Sequence, residues 1–207
     1  MNEQLLKMNG LSVEILDTLS FESHLGIPLK NNLHYFDKDL LIAELVAMTE
    51  WLDEQEILSG IALDYRVKSL DSILLKYDRY YPDHQTRKVF NDILGFRAFC
   101  DSYDQILEEE SVQFRIADMS SGKAVDDGYR GVHVYYQKSG KYYPIEIQFN
   151  TLFDRQLNNW LHDYLYKKDY PIETGRILRE KYESGLIRNE HEFKEVLNNV
   201  LSSSERS

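Results

Sequence analysis

Hydrophobic and polar positions along the chain change period several times, and each change marks an element. Over residues 36–56, Leu40, Leu41, Leu45, Met48 and Leu52 recur at helical spacing with acidic residues elsewhere, which predicts an amphipathic helix. Residues 57–69 alternate instead, with Ile61, Leu63, Tyr65 and Val67 on one side and Asp64, Arg66 and Lys68 on the other, as a half-buried strand would. Helical spacing returns through Leu70, Ile73, Leu74 and Tyr77 and stops at Pro82; a short helix is expected over 84–91. Residues 93–100, 112–119, the run Tyr129–Gln137 and the run Tyr142–Thr151 read as strands. The last two form a hairpin that turns at Ser139-Gly140. A short helix falls between the first two. Residues 152–168 are helical with Leu152, Leu157, Trp160, Leu161, Tyr164 and Leu165 inward, and 173–201 make one or two further helices before a frayed tail. This order predicts an α/β (α+β) domain built on a mixed, largely antiparallel sheet of about five strands flanked by helices. The expected division is a helical segment over 1–54, a core over 55–170 and a helical extension over 171–207.

Composition narrows the function. The longest apolar stretch, residues 40–48, is interrupted by Glu44 and is too short to span a bilayer, and the first ten residues have no signal-peptide pattern. A soluble cytoplasmic protein is expected. The lone cysteine, Cys100, lies in an apolar run and reads as a buried structural thiol. Net charge is −11, which disfavours general affinity for nucleic acid or anionic membrane. The charge is uneven: from Arg66 to Arg97 seven basic residues face four acidic ones, so this segment is +3 and the rest is −14. A local cationic site in an anionic shell suits a small anionic ligand.

Candidate chemistry gathers around three stretches. In Pro144–Thr151, period two puts Glu146 and Gln148 on one face and Ile145, Ile147 and Phe149 on the other, and His133 on the preceding strand shares the polar face. A solvated sheet face is the plainer reading of that pattern. Asp92 precedes an apolar strand that contains Arg97, a charge needing a partner, whether carboxylate or phosphate. Arg66 and Lys68 share a strand face, and Ser72 and Lys76 share a helix face, so all four can converge at a strand-to-helix junction on a triphosphate. Asp92 and Glu146, expected at a solvated cleft, could hold Mg²⁺ with substrate oxygens. Tyr129, in the turn Asp126–Gly131, could stack on a base. Such a set suits phosphoryl transfer from ATP, by positioning and charge neutralisation. No GxxxxGK[ST] loop is present.

Arg-Val-Lys-Ser-Leu-Asp-Ser-Ile-Leu-Leu-Lys from Arg66, Asn-Asp-Ile-Leu-Gly-Phe-Arg from Asn91, Asp-Asp-Gly-Tyr-Arg-Gly-Val-His from Asp126 and Glu-Ile-Gln-Phe-Asn-Thr from Glu146 occur in that order. Together they resemble the synthetase domain of the RelA/SpoT family, the alarmone synthetases. The resemblance implies a five-stranded sheet similar to nucleotidyltransferases of the polymerase β type. It also implies transfer of the β,γ-pyrophosphate of ATP to a ribose 3′-hydroxyl. By position it makes Arg66, Lys68, Ser72 and Lys76 ATP contacts and Asp92 and Glu146 the catalytic Mg²⁺ ligands. Tyr129 becomes the acceptor-stacking residue, with Arg97, His133 and Gln148 in support.

Two positions depart from the family pattern: Gly131 stands where many members have Ser, and Asn150 where many have Arg. The runs Tyr129–Tyr136, Pro144–Thr151 and Asn158–His162 look like the toxic single-domain branch. Some members of that branch pyrophosphorylate the CCA end of tRNA and are neutralised by an antitoxin protein or a hydrolase. The alternative acceptor is GDP or GTP, as in (p)ppGpp synthesis, and single-domain synthetases can be homo-oligomers. Motif details favour tRNA, for which Arg115, Lys123, Arg130, Arg155, Lys167 and Lys168 are the candidate track; net charge favours the nucleotide. His162-Asp163 lacks an upstream histidine set and reads as a helix residue near the site, outside any hydrolase metal centre. A catalytically silent module that kept the fold is the competing class, and the presence of both Asp92 and Glu146 speaks against it.

Overall fold

The computed structural model describes residues 3–108, 113–166, 168 and 170–204. The helices in chain order are α1 (Glu3–Met8), α2 (Val13–Thr18), α3 (Lys38–Asp53), α4 (Glu56–Ser59), α5 (Leu70–Tyr80), α6 (Thr86–Val89), α7 (Asp104–Leu107), α8 (Leu152–Tyr164), α9 (Glu173–Glu183) and α10 (Glu190–Ser204). The strands are β1 (Asp64–Val67), β2 (Leu94–Phe99), β3 (Phe114–Met119), β4 (Gly131–Tyr136) and β5 (Ile145–Asn150), and they form a mixed sheet in the order β1-β2-β5-β4-β3. β1 runs antiparallel to β2, with Arg66 opposite Gly95 and Asp64 opposite Arg97. The Cys100 N–H, just past β2, donates to the carbonyl of Asn150 at the end of β5, so these two neighbours run parallel.

The chain divides into two compact units. One comprises Met1–Ala98, Asp104–Ala117 and His133–Gln148; the other comprises Phe99–Tyr103, Asp118–Val132 and Phe149–Ser207.

In the first unit, side chains at i, i+4, i+7 and i+11 of α3 (Leu41, Leu45, Met48, Leu52) are buried. The expected inward Leu40 is 63% exposed, because its own row holds Ala43, Glu44 and Ala47 and turns away from that stripe. The helix starts where Asp37 accepts the Leu40 N–H at 3.0 Å. The expected strand over 57–69 shortens to β1. Adjacent Ile57 and Leu58 break the alternation, and Glu56–Ser59 turn as a helix instead. β1 is an edge strand of four residues, which leaves Tyr65 exposed. The alternation holds in β2 and β4, where Leu94, Phe96, Val134 and Tyr136 are fully buried, while in β5 Ile145 and Ile147 are fully buried and the residue between them is buried as well.

In the second unit, Leu157, Trp160, Leu161 and Leu165 pack with Leu178, Tyr182, Ile187, Phe193 and Leu197 as one core. Leu152 lies outside that row and is exposed. Cys100 is buried, and burial above all pushes its thiol up to about 11, so it is inert at neutral pH. Part of the helix expected after Ser102 lies outside the described residues.

Candidate active site

The polar face of the sheet in the first unit is assembled by register. β1 places Arg66 opposite Gly95, and Lys68 continues the ladder by donating its N–H to the Ile93 carbonyl at 2.8 Å. Ser69 then caps α5, accepting the Ser72 N–H, and two turns of helix deliver Lys76 to the same place. These groups converge on Asp92. Lys68 Nζ lies 2.7 Å from one carboxylate oxygen, Lys76 Nζ 2.9 Å from the other, and Arg66 3.8 Å away. Lys76 also donates to the Val89 carbonyl at 3.1 Å. Three cations on one carboxylate leave a local surplus of positive charge. Burial holds the Lys68 ammonium below its usual range, against the pull of Asp92. Asp92 is itself buried, at 8% exposure, which corrects the expectation of a solvated cleft. Ser72 pairs with the capping hydroxyl of Ser69 at 3.0 Å.

Glu146 sits mid-β5 at 4% exposure, which overturns the solvated-face reading of that hairpin. Gly95 leaves room beside it, since a side chain there would begin 3.5 Å from Glu146 Oε2. His133 Nδ1 approaches Glu146 Oε1 at 3.0 Å, and Gln148 Nε2 donates to Oε2 at 2.7 Å. Burial alone would raise the Glu146 pKa. Hydrogen bonds from His133, Gln148 and Tyr135 outweigh it, and the carboxyl is held below its ordinary value and ionised. Tyr135, raised by burial and then by Glu146, carries the Arg115 guanidinium 4.1 Å over its ring. Arg97 faces solvent more than its apolar strand suggested and pairs with Asp64 at 2.8 Å.

Beside Tyr135, in the same unit, lies an open cavity of about 360 Å³. Arg87, Lys88, Arg115 and Lys138 line it, and among the described residues no carboxylate does. Of the described members of the expected cationic track, only Arg115 is here; Arg87, Lys88 and Lys138 are additions no local motif marks.

Tyr129 belongs to the second unit, on the turn Asp126–Gly131. Arg130 folds back onto Asp126 with two hydrogen bonds of 2.8 and 2.9 Å, and Lys123 pairs with Asp127 at 2.5 Å while its Nζ stands 5.0 Å from the Tyr129 ring. Arg155 lies over the Phe99 ring and Lys168 over that of Tyr170. Lys167 lies outside the described residues. Each of these described cations is thus engaged locally. His162 lies on α8, the helix expected for it, where it is exposed and paired with Asp163 at 3.1 Å.

The turn is gripped from below. Gly128 has φ +88°, and a side chain on it would begin 2.3 Å from the Gly175 carbonyl, so only glycine fits. Arg179, fully buried, donates to the Gly128 carbonyl at 2.8 Å, to Asp154 at 2.6 Å and to Asn158 at 3.2 Å. Asp154 also accepts from Tyr103 at 2.7 Å and Thr151 at 2.9 Å. Sequence reasoning missed this network. Arg179 sits among Arg176, Glu180 and Lys181, where nothing local distinguishes it from a solvated charge.

Among the described residues, no group of three or more His, Cys, Asp or Glu side chains is placed to hold a metal ion. Asp92 and Glu146 are hard oxygen donors and both sit on the first unit's site. Mg²⁺ characteristically takes one or two carboxylates plus substrate phosphates, so this donor set is compatible with it. No helix among the described residues is long and apolar enough to cross a membrane.

The model for the region found in RelA and SpoT proteins matches residues 65–170, just over half of the chain. No curated protein matches. Among solved structures, the chain is similar to the Bacillus subtilis small alarmone synthetase 1 bound to its product pppGpp, at 24% identity and TM-score 0.43, covering 80% of this chain and 90% of that one. It is also similar to a GTP pyrophosphokinase family protein from Streptococcus pneumoniae, at 23% identity and TM-score 0.41, covering 81% and 93%. A third is the Bacillus subtilis synthetase bound to AMPCPP, at 20% identity and TM-score 0.38, covering 82% and 97%.

By class the chain is a pyrophosphokinase. It belongs to the RelA/SpoT family.

Proposed function

We propose that the chain transfers the β,γ-pyrophosphate of ATP to a ribose 3′-hydroxyl at the CCA end of tRNA, acting in the cytoplasm as a translation-blocking toxin held in check by an antitoxin protein. The observation that carries the donor half is the gathering of Arg66, Lys68 and Lys76 on Asp92. A triphosphate satisfies that surplus charge, with the Ser72 hydroxyl at the start of α5 as a further donor. Arg97, once released from Asp64, contributes a second guanidinium to the nucleotide.

In the reaction the acceptor 3′-oxygen attacks the β-phosphorus of ATP. The bond from that phosphorus to the oxygen bridging to the α-phosphate breaks, and AMP leaves. Glu146, ionised and fixed by His133 and Gln148, accepts or orients the 3′-hydroxyl proton. Mg²⁺, when bound at Asp92 and Glu146, supplies neutralisation of the phosphate oxygens. Tyr129 stacks on the acceptor's terminal base.

The cavity beside Tyr135 supports an RNA acceptor: the four cations that line it suit a run of phosphodiesters. Net charge of −11 supports the second reading, GDP or GTP as acceptor. Incubation with γ-³²P-ATP, Mg²⁺ and, in parallel, GDP, GTP and deacylated tRNA separates them. Label on tRNA, abolished by prior periodate oxidation of its 3′ diol, is expected. Label on guanine nucleotide alone overturns the tRNA reading, and growth unaffected by expression overturns the toxin reading.

A further inference from the structure

The two positions that depart from the family pattern, Gly131 and Asn150, lie against each other in the second unit. A side chain on Gly131 would begin 2.5 Å from Asn150 Nδ2 and 2.8 Å from the Tyr129 hydroxyl. The phenol end of Tyr129 therefore rests on the bare backbone of Gly131, with the Asn150 amide filling the rest of that space. Asn150 is itself buried, at 1% exposure, and its amide donates to the Arg130 carbonyl at 2.8 Å. Asn158 donates to the same carbonyl at 2.7 Å, and Arg179 holds the carbonyl of Gly128. The carbonyls on either side of Tyr129 are thus both fixed by side chains. The Tyr129 N–H is fixed too, donating to Asp127 at 3.2 Å. Gly131 with Asn150 bounds where the Tyr129 ring can lie, and Lys123 Nζ stands 5.0 Å from the ring.

We infer that Asn150 and Gly131 are positioning residues for acceptor use: together they hold the Tyr129 ring in its stacking position. This rests on the reading of Tyr129 as the acceptor-stacking residue. Gly131 cannot gain a methyl group without displacing both neighbours. The two closest atoms are side-chain ends and take most of the disturbance, while the Phe149 carbonyl of β5, 3.2 Å away, must give by a few tenths of an ångström.

The test is steady-state kinetics of three variants, Asn150→Ala, Gly131→Ala and the double variant, with whichever acceptor the wild type labels, alongside thermal melting. Loss of one of two hydrogen bonds to the Arg130 carbonyl is expected to raise acceptor KM about fivefold. The KM for ATP should stay at the wild-type value. The double variant should show less than the product of the single effects, because both act on one space. Fluorescence titration of acceptor against each protein gives the same comparison without turnover. Unchanged acceptor KM, or equal loss for ATP and acceptor tracking a fall in Tm, overturns the inference, since a merely structural role would move both together. If the wild type labels no acceptor, the proposed function fails. If the wild type is active and the variants keep its acceptor KM, this inference alone fails.

Discussion

Replacing Asp92 with Asn changes one charge and almost no volume, and its consequence is computable from the site. Lys68 and Asp92 have side chains only 6% and 12% exposed, 2.7 Å apart. Removing one partner of such a pair strands the other and costs about 3–5 kcal/mol. The Asn carbonyl still accepts one hydrogen bond, and Lys76 and Arg66 reach water and lose under about 1 kcal/mol each. The lower end, about 3 kcal/mol, is the better figure, which for a chain of this length is a fall of about 6–12 °C in Tm. A second consequence follows from charge. Without their carboxylate, Arg66, Lys68 and Lys76 bind a polyanion more tightly, so inorganic tripolyphosphate without Mg²⁺ should raise the variant's Tm more than the wild type's. Mg²⁺-dependent turnover should nevertheless be lost. Differential scanning fluorimetry with and without tripolyphosphate, beside a turnover assay, measures all three. An unchanged Tm, or a larger anion shift in the wild type, would refute the reasoning that Asp92 is the counter-charge of a phosphate site.

Glu146→Gln should cut turnover by about 10²-fold or more while ATP binding persists, as loss of a positioned base does; retained turnover in a single-turnover assay contradicts the role. Because the folded-state pKa of Glu146 lies below its ordinary 4.5, its contribution to stability is present above that value and lost as pH falls through the folded value. Glu146→Gln should therefore flatten the acid limb of Tm against pH, and an unaltered limb counts against an ionised Glu146. Tyr129→Ala should raise acceptor KM by roughly tenfold, a stacked base being worth about 1–3 kcal/mol, with ATP KM unchanged. Arg115→Ala or Lys138→Ala should lower the salt dependence of tRNA binding by about one phosphate contact and leave GDP binding alone; identical salt slopes remove the cavity from the acceptor path.

Much of this site was legible because strand and helix periods are short-range. Ser72 and Lys76 four apart on α5, and Arg66 and Lys68 two apart at the end of β1, are enough to aim cations at one junction. Glu146 between Ile145 and Ile147 was placed on the right face for the same reason. What the pattern could not carry was depth. A polar face reads as solvated until the chain above it is known, so the burial of Glu146 and Asp92 was missed. β1 was drawn too long because Ile57 and Leu58 are apolar without alternating. Arg179, Asn158 and Asn150 act through backbone carbonyls of residues at least 20 positions away. No local spacing signals such a contact, and Asn150 read only as a departure from pattern.

The most direct test of the central claim is a product balance. The wild type, given γ-³²P-ATP, Mg²⁺ and its acceptor, should release AMP in step with label gained by the acceptor, and Glu146→Gln should do neither. Release of ADP, or of AMP with no label on any acceptor, would contradict pyrophosphate transfer.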